Sequence, residues 1–260
     1  MPLVLPRDFF PALRRWRLWS LLAWLDIRQR YARSALGPFW ITLSMGVMVG
    51  SLGVVYGTLF GQPMTGYLPL VGTGFVVWGL IAGVLNDSCG AYINNANYIR
   101  QSDASLWTYI FQVLCRQLIM FAHNFVIVVV LIAVFGVDPA RALIWFLPGL
   151  ALLMLNLTWM AQIFALSSAR YRDVPQLVAA VVQILFYITP LMWRPGMLSK
   201  HTWLITFNPF AALVDLVRSP LLGQTPAANS WMVCVCCAIV GWLAALWMYA
   251  RAADRVAYWV

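Results

Sequence analysis

The sequence predicts an all-α integral membrane protein with six transmembrane helices. Of its 260 residues, 63% are hydrophobic and only 10% are charged, whereas a soluble domain carries about a quarter charged residues. The polar residues are too few to cover the surface of a water-soluble globule. The chain must therefore be surrounded mainly by lipid. In addition, no charged residue occurs from Ser34 to Asn86, and long charge-free runs recur further along the chain.

The charge-free runs, divided at turn residues, give spans of roughly 20 apolar residues, the length that crosses the hydrocarbon layer. The first run breaks at the turn-forming stretch GQPMTG, residues 61–66. The six predicted spans cover residues 38–60, 67–86, 111–136, 142–168, 175–193 and 229–250. Residues 194–223 contain three prolines, which argue for short re-entrant helices on the outer side rather than a further crossing. Residues 1–260 thus form a single transmembrane domain.

The distribution of basic residues predicts the orientation. With the N-terminus in the cytoplasm, 13 of the 17 basic residues fall on the cytoplasmic side and 4 outside. The positive-inside rule therefore places both termini in the cytoplasm. The net charge of +9 does not indicate a nucleic-acid partner, because the arginines are spread over loops between apolar spans and form no solvated basic domain. They suit a surface of anionic membrane lipids.

Residues 8–33 predict an amphipathic helix that lies along the cytoplasmic membrane interface. On a helical wheel, one side collects Phe9, Leu13, Trp16, Trp24, Ile27 and Tyr31. The alternative is an irregular basic tail that only sets topology. Leu36-Gly37-Pro38 then predicts a turn, since proline suits the first turn of a new helix, and Trp40 anchors the first span at the headgroups.

The residues that most enzymes need are scarce. The chain has no P-loop sequence G-x-x-x-x-G-K-[ST] and no glutamate, and its two histidines lie far apart. We therefore predict no catalytic residue, no metal site and no cofactor in this chain. A membrane-bound acyl- or glycosyltransferase is the competing class, and it would need a converging set of His, Asp or Glu residues that the sequence does not show. We expect His123 in the third span to form a hydrogen bond to a neighbouring helix rather than to act as a heme ligand or proton relay. The Cys234–Cys237 cluster is typical of small buried side chains rather than a metal or redox site.

Three stretches resemble the permease subunits of polysaccharide ABC exporters, a type-two ABC transporter family that exports O-antigen, capsular polysaccharide and teichoic acid. They are DIRQRYARSALGPFWITLSMG (residues 26–46), RYRDVPQLVAAVVQILFYITPLMW (170–193) and FNPFAALVDLVRSPLLG (207–223). The resemblance covers nearly the whole chain, in the right order. One departure is Ala32, where relatives often carry another basic residue.

The resemblance implies a permease of the bacterial inner membrane that homodimerises and recruits two copies of a separate subunit, which binds ATP and Mg²⁺. It implies that residues 8–33 are the family's interface helix, that Leu36-Gly37 is its Leu-Gly loop and that residues 94–103 are its cytoplasmic coupling helix. It also implies that 194–223 are its outer re-entrant helices. The implied substrate is a polysaccharide on polyprenyl pyrophosphate, with O-antigen as our first choice. Capsular polysaccharide, teichoic acid or another lipid, heme or drug substrate remains the alternative.

Three groups of candidate residues follow. The pyrophosphate-entry gate comprises Arg28, Arg30, Arg33, Leu36 and Gly37, since guanidinium groups pair well with phosphate oxygens; alternatively, these arginines only set the orientation. The aromatic candidates for lining the sugar channel are Trp40, Tyr56, Phe60, Tyr67, Trp78 and Tyr109, although most aromatic residues of a membrane protein simply pack. The ATPase-coupling candidates are Asn97, Tyr98, Arg100 and Asp103, in a stretch that could also be an ordinary solvated loop.

Overall fold

The computed structural model describes residues 8–31, 37, 39–101, 104–140, 142–193 and 208–260, and every regular element in these ranges is helical. The helices are α1 (Phe9–Arg14), α2 (Trp16–Tyr31), α3 (Phe39–Leu59), α4 (Met64–Cys89), α5 (Ala96–Gln101), α6 (Trp107–Phe135), α7 (Phe146–Arg170), α8 (Val174–Ile188), α9 (Pro209–Leu221), α10 (Ala228–Ala252) and α11 (Val256–Trp259). Short 3₁₀ turns precede α7 and α11. The all-α prediction is confirmed.

Five of the described helices are long and apolar enough to cross a membrane: α3, α4, α6, α7 and α10. Helix α4 is the centre of the bundle, because it is largely buried and packs against α3, α6, α7, α8 and α9. Helix α3 lies at the edge of the bundle and is mostly exposed. The predicted fifth span is the exception, since α8 has only 15 residues.

The N-terminal segment forms two helices where the sequence predicts one. The main chain leaves the helical conformation at Arg15, between α1 and α2. Ala23 and Ile27 are buried on the side of α2 that packs against α6. Trp16 and Trp24, by contrast, are more than half exposed. The predicted single aromatic face is therefore divided, with some members against the protein and others facing outward.

Helix α1 is held by aromatic contacts. The Phe9 ring meets Trp107 of α6 edge-on, with centroids 4.9 Å apart, and Trp242 of α10 at 5.7 Å. Trp107 in turn stacks on Trp242 at 5.8 Å. Edge-to-face and offset-stacked pairs at these separations are favourable geometries for aromatic rings. This cluster joins the start of the chain to two of the long helices.

A small residue lets α4 and α6 approach closely. A side chain at Gly83 would place its Cβ only 2.2 Å from the Oε1 atom of Gln117. Glycine at such crossings is common in membrane helix packing, because it allows the backbones to come together. The close approach positions Gln117 for the polar contacts described below.

Helix α8 ends at Ile188, and the chain continues as a bent segment, Thr189–Trp193, in which the nitrogen of Leu191 donates to the oxygen of Thr189 at 2.7 Å. Two carbonyls of this segment accept hydrogen bonds from other parts of the protein: the Arg218 guanidinium donates to the Pro190 oxygen at 2.6 Å, and the Tyr67 hydroxyl to the Met192 oxygen at 2.6 Å. Irregular backbone at membrane depth is tolerated only when protein satisfies it in this way. Arg218, which lies in the region predicted to form outer re-entrant helices, is buried.

Helix α9 is the described part of the predicted re-entrant region, and residues 194–207 lie outside the described ranges. Asn208 caps α9, since its side chain accepts hydrogen bonds from the main-chain nitrogens of Phe210 and Ala211. Asp215 accepts hydrogen bonds from Ser230 at 2.6 Å and from the nitrogen of Ala227, which ties α9 to the start of α10. The helix packs against α4, α7 and α10.

The histidine prediction is corrected in its detail. The ring Nδ1 of His123 lies 2.9 Å from the oxygen of Ile119 in its own helix. The bond to the neighbouring helix is made instead by the main-chain oxygen of His123, which accepts from the hydroxyl of Thr42 in α3 at 3.2 Å. The histidine position still joins two spans, but through its backbone.

Candidate substrate-entry and coupling sites

One end of the bundle, which we call the basic face, carries α1, α5 and α11 together with the adjoining ends of the spans. Two contacts hold these elements together. The Tyr249 hydroxyl of α10 donates to Asp8, just before α1, at 2.5 Å, and the Arg100 guanidinium of α5 donates to the main-chain oxygen of Val260. Segments far apart in the sequence therefore meet on the basic face.

An ion triad joins three helices at the basic face. The Arg116 guanidinium of α6 binds Asp26 of α2 through Nη1, and its Nη2 lies 2.9 Å from an oxygen of Asp87 in α4. The Arg116 side chain is 12% exposed, and the two aspartates are 32% and 24% exposed. A planar guanidinium bridges two carboxylates well because its donors form a rigid fork. We call these residues the Asp26–Arg116–Asp87 triad.

Two glutamine side chains add hydrogen bonds to the carboxylates of the triad. Gln112 donates to Asp26 at 2.8 Å, and Gln117 donates to Asp87 at 2.5 Å. Both glutamines are buried on α6. Each carboxylate therefore accepts one charged and one neutral hydrogen bond, which is the condition under which partly buried charges are tolerated. The triad fixes α2 against both α4 and α6.

A polar cavity of about 350 Å³ lies beside the triad. Besides the triad, its walls include Gln29 and Arg30 of α2 and Asn94 and Asn95 of the turn that leads into α5. Almost every side chain that faces it can donate or accept a hydrogen bond. The cavity therefore suits a polar or ionic group and lies where α2 meets the predicted coupling region.

The predicted gate arginines Arg28 and Arg30 lie at the end of α2 and are exposed. Asp26 is the only acidic residue of α2, and the triad occupies it. Within the described part of the chain, no carboxylate forms an ion pair with either arginine. Their charge is therefore available to an anion from outside the protein.

Of the residues between α2 and α3, only Gly37 is described, and Arg33 and Leu36 lie outside the described ranges. Gly37 has a φ of 55°, a left-handed conformation that glycine adopts without the penalty other residues suffer. Its oxygen accepts a hydrogen bond from the nitrogen of Trp40 at 3.3 Å. The chain thus turns at Gly37 just before α3 begins at Phe39.

The predicted coupling segment contains the short helix α5, and three of its four candidate residues are described. Asn97, Tyr98 and Arg100 are all exposed, and Asp103 lies outside the described ranges. The turn before α5 is anchored by Tyr92, whose hydroxyl donates to Gln162 of α7 at 3.0 Å. Burial raises the pKa of the Tyr92 phenol, which keeps it a neutral donor. Helix α5 is thus anchored to the bundle through the buried Tyr92, and its candidate residues Asn97, Tyr98 and Arg100 are exposed.

The six aromatic channel candidates separate into packed and exposed positions. Tyr67, Trp78 and Tyr109 are buried, and the Tyr67 hydroxyl already donates a hydrogen bond to the main-chain oxygen of Met192. Trp40 is 53% exposed, and Tyr56 and Phe60 at the far end of α3 pack on each other with centroids 5.7 Å apart. Of the six candidates, only Trp40, Tyr56 and Phe60, near the two ends of α3, can contact a substrate without a change of packing.

A groove runs between α3 and α8, across α4. Its volume is about 410 Å³. We call it the α3–α8 groove and define it by Met45, Trp78, Asn86, Gln183 and Phe186. The Asn86 and Gln183 side chains are exposed there. Exposed amides are costly against lipid tails, so this face suits a partner or water better than lipid.

Sequence reasoning missed the triad. The available signal was weak: Asp26 and Asp87 are two of only eight acidic residues in the chain, and Gln112 and Arg116 have the i, i+4 spacing that places them on one helix face. Nothing in that pattern says that three separate segments converge. Among the described residues, no group of three His, Cys, Asp or Glu side chains could hold a metal ion.

Comparison with known proteins gives two consistent results. The ABC-2 type transporter family matches residues 17–222. Two proteins of Klebsiella pneumoniae, each named O-antigen export system permease protein RfbA, are similar to this chain. One is 23% identical over 202 residues, which cover 77% of this chain and 78% of that protein, and the other is 22% identical over 191 residues, which cover 73% and 74%. The match takes in nearly all of α2, together with α5 and α9, so the chain belongs to the ABC-2 type transporter family.

Proposed function

We propose that this chain is the channel-forming permease subunit of a transporter that exports a polysaccharide linked to polyprenyl pyrophosphate across the bacterial inner membrane. We take lipopolysaccharide O-antigen as the substrate. The similarity to the two O-antigen export permeases supports this choice, although an identity of 22–23% leaves other glycans of the same chemistry as outcomes of the test. A separate subunit binds ATP and Mg²⁺ and hydrolyses the nucleotide.

In this proposal the basic face lies in the cytoplasm with both termini. The arginine-rich ends of α2, α7 and α10 support that orientation through the positive-inside rule. Helix α8 and the bent segment Thr189–Trp193 together make the fifth of six crossings. Helix α9 is then the re-entrant element on the outer side, packed against α4 and α7.

The observation that carries the proposal is the free charge of Arg28 and Arg30. Arg30 lines the polar cavity, Arg28 is exposed two residues earlier at the same end of α2, and the only acid of that helix is bound to Arg116. A pyrophosphate in the headgroup layer presents several anionic oxygens, and arginine binds such oxygens bidentately. The arginines would draw the carrier's pyrophosphate to the end of α2, and the turn at Gly37 would pass it to the edge of α3.

Two further parts complete the mechanism. A second copy of the chain pairs across the α3–α8 groove, which covers Asn86 and Gln183 and encloses a path for the sugar chain between the two copies. The ATPase docks on the exposed side of α5, at Asn97, Tyr98 and Arg100. Movement of α5 would then reach the gate through α4 and the Asp26–Arg116–Asp87 triad.

The test is export by the double variant Arg28→Gln/Arg30→Gln in cells that lack the native permease. Each charge-assisted hydrogen bond to phosphate is worth about 1.5–3 kcal/mol, so we expect surface polysaccharide to fall at least roughly tenfold. Lipid-linked glycan should accumulate inside the cell. Surface polysaccharide is measured by immunoblot, at equal levels of permease in the membrane.

Two matched variants serve as controls. Arg28→Lys/Arg30→Lys keeps the charge and should restore most of the export, since lysine still attracts phosphate as a point charge. Arg14→Gln/Arg17→Gln removes the same charge from exposed positions nearer the N-terminus and should export normally. Wild-type export by Arg28→Gln/Arg30→Gln would contradict the gate. Export of a different glycan class by the wild-type chain would correct the substrate.

A further inference from the structure

A second basic cavity lies on the basic face, away from α2. It is a cleft of about 640 Å³ between the ends of α7 and α10, closed on one side by the residues around α11. We call it the C-terminal cleft. Its walls include Arg170, Tyr171, Trp247, Arg251, Arg255 and Trp259. Neither the gate nor the coupling helix makes use of these side chains.

The cleft carries unbalanced positive charge. Three arginines face it and only one acid, Asp254. Within the described residues, none of the three arginines forms an ion pair with a carboxylate. All three are exposed, so their guanidinium groups remain accessible to an anion in the cleft. A cavity of this kind attracts negatively charged groups.

Aromatic rings hold two of these arginines in place. The Arg251 guanidinium carbon lies 4.0 Å from the centroid of the Trp247 ring, and that of Arg170 lies 5.0 Å from Tyr171 and 5.6 Å from Trp259. Stacking engages the face of a guanidinium and leaves its N–H edge free to donate hydrogen bonds. The arginine forks are therefore positioned before any anion arrives.

An apolar stripe leads from the cleft along the outside of α10. Val240, Leu243 and Trp247 are exposed, and they precede Arg251 at helical spacings of three and four residues. The stripe belongs to a helix long and apolar enough to cross a membrane. An arginine at the end of such a stripe sits where the acyl chains of a lipid meet its headgroup.

We propose that the C-terminal cleft binds the phosphate headgroup of an anionic phospholipid of the phosphatidylglycerol type, with an acyl chain along Val240, Leu243 and Trp247. A free phosphate ion would use the arginines but leave the apolar stripe bare. The lipid uses both, which is why the geometry favours it. Its phosphate links the end of α7 to the end of α10, whose last residues, Arg170 and Ala252, are 82 positions apart in the sequence.

The bound lipid also supports the coupling helix. Arg172, which follows α7, donates to the main-chain oxygen of Trp259 at 3.3 Å. Arg100 of α5 donates to that of Val260. A headgroup that fixes Arg170 and Arg255 therefore steadies the segment on which α5 rests. The lipid thus acts as a structural ligand, distinct from the transported substrate.

The test measures lipid retained by the purified chain, using native mass spectrometry in detergent with added phosphatidylglycerol or phosphatidylcholine. We expect the wild-type chain to retain phosphatidylglycerol and to bind phosphatidylcholine much more weakly. Each basic residue near a membrane surface contributes enough to change affinity roughly fivefold, so Arg170→Gln/Arg251→Gln/Arg255→Gln should lose most of the retained lipid. A photoactivatable phosphatidylglycerol should label peptides from residues 240–259.

The controls decide between the lipid and simpler explanations. Arg14→Gln/Arg15→Gln/Arg17→Gln removes three exposed arginines from the same face and should retain the lipid at residues 240–259. An equal loss in that variant would mean non-specific surface charge and would overturn the proposal. Displacement of phosphatidylglycerol by millimolar inorganic phosphate would identify a simple anion site and would also overturn it. If the triple variant misfolds, Arg251→Gln alone should still weaken retention, and unchanged retention there counts against the site.

Discussion

Asp26 attaches α2 to α6, and its contribution to stability depends on Arg116. Removing Asp26 leaves Arg116 paired with Asp87, whereas removing Arg116 leaves two carboxylates close together without a cation. Like charges in a partly buried site repel, and each loses its charged hydrogen bond. The two ends of the same ion pair should therefore differ in their contribution to stability.

We predict that Asp26→Ala lowers the free energy of unfolding by about 1.5–3 kcal/mol, the worth of a charged hydrogen bond. Arg116→Ala should cost more, toward the 3–5 kcal/mol seen when one partner of a buried pair is removed. The double variant should cost less than the sum, because the two residues share one interaction. Thermal unfolding of each purified variant, monitored by size-exclusion chromatography, ranks the three variants by stability.

The control for this series is Asp173→Asn. Asp173 is exposed, and its side chain makes no capping bond to α8. The free energy of unfolding of the Asp173→Asn variant should therefore stay within about 0.5 kcal/mol of the native value. Equal effects of Asp26→Ala and Arg116→Ala would show that Asp87 does not share the guanidinium.

The triad also marks the limit of prediction at the residue scale. Sequence patterns place Arg28 and Arg30 on an exposed helix end, because hydropathy and charge are local properties. A contact such as Asp26 with Arg116, 90 residues apart, depends on how α2 crosses α6, and one sequence carries no record of that crossing. The same holds for Tyr67, whose hydroxyl binds a carbonyl 125 residues away.

At the scale of elements, α5 is the part most open to a direct test. Tyr98 is 62% exposed and projects from the basic face. We predict that Tyr98→Cys forms a cross-link to the partner ATPase when a short bifunctional thiol reagent is added to the assembled transporter. Cross-linking should depend on the presence of that subunit and is scored as a shifted band on a denaturing gel.

Tyr187→Cys is the matched control for the coupling helix. Tyr187 is also 62% exposed but lies near the end of α8 that points away from the basic face. It should give no product with the ATPase. A product from Tyr187→Cys with none from Tyr98→Cys would move the docking surface to the other end of the bundle.

Elements were predictable where composition decides them. The long apolar runs give α3, α4, α6, α7 and α10, because a helix that satisfies its own backbone is the stable form of such a run in lipid. The break between α1 and α2 and the early end of α8 were not predictable. Both depend on tertiary partners: Phe9 is held among rings from α6 and α10, and the carbonyls after α8 are satisfied by Arg218 and Tyr67.

At the scale of the whole molecule, the α3–α8 groove is the surface that we assign to a second copy. We predict that Gln183→Cys, in a background with the exposed Cys236 replaced by serine, forms a covalent homodimer in membranes. The two copies would be joined by a disulfide bond or by a short bifunctional thiol reagent. The reason is that Gln183 is an exposed amide within an apolar groove, which pairing of two copies would cover. Non-reducing electrophoresis measures the dimer.

Ile239→Cys in the same background is the control for this pairing. Ile239 is 58% exposed on α10, on the surface that we assign to lipid, and it should remain monomeric. Dimer formation at Ile239 with none at Gln183 would place the interface on α10, and it would contradict both the groove assignment and the path between the two copies.

The shortness of α8 makes the fifth crossing dependent on other helices. Fifteen residues of helix rise about 22 Å, whereas the hydrocarbon layer is about 30 Å thick. In the proposed topology the bent segment Thr189–Trp193 covers the remaining depth, where the oxygens of Pro190 and Met192 take their hydrogen bonds from Arg218 and Tyr67. The depth of this crossing is thus set by two side chains from α9 and α4, and loss of either donor would leave a main-chain carbonyl without a partner inside the bilayer.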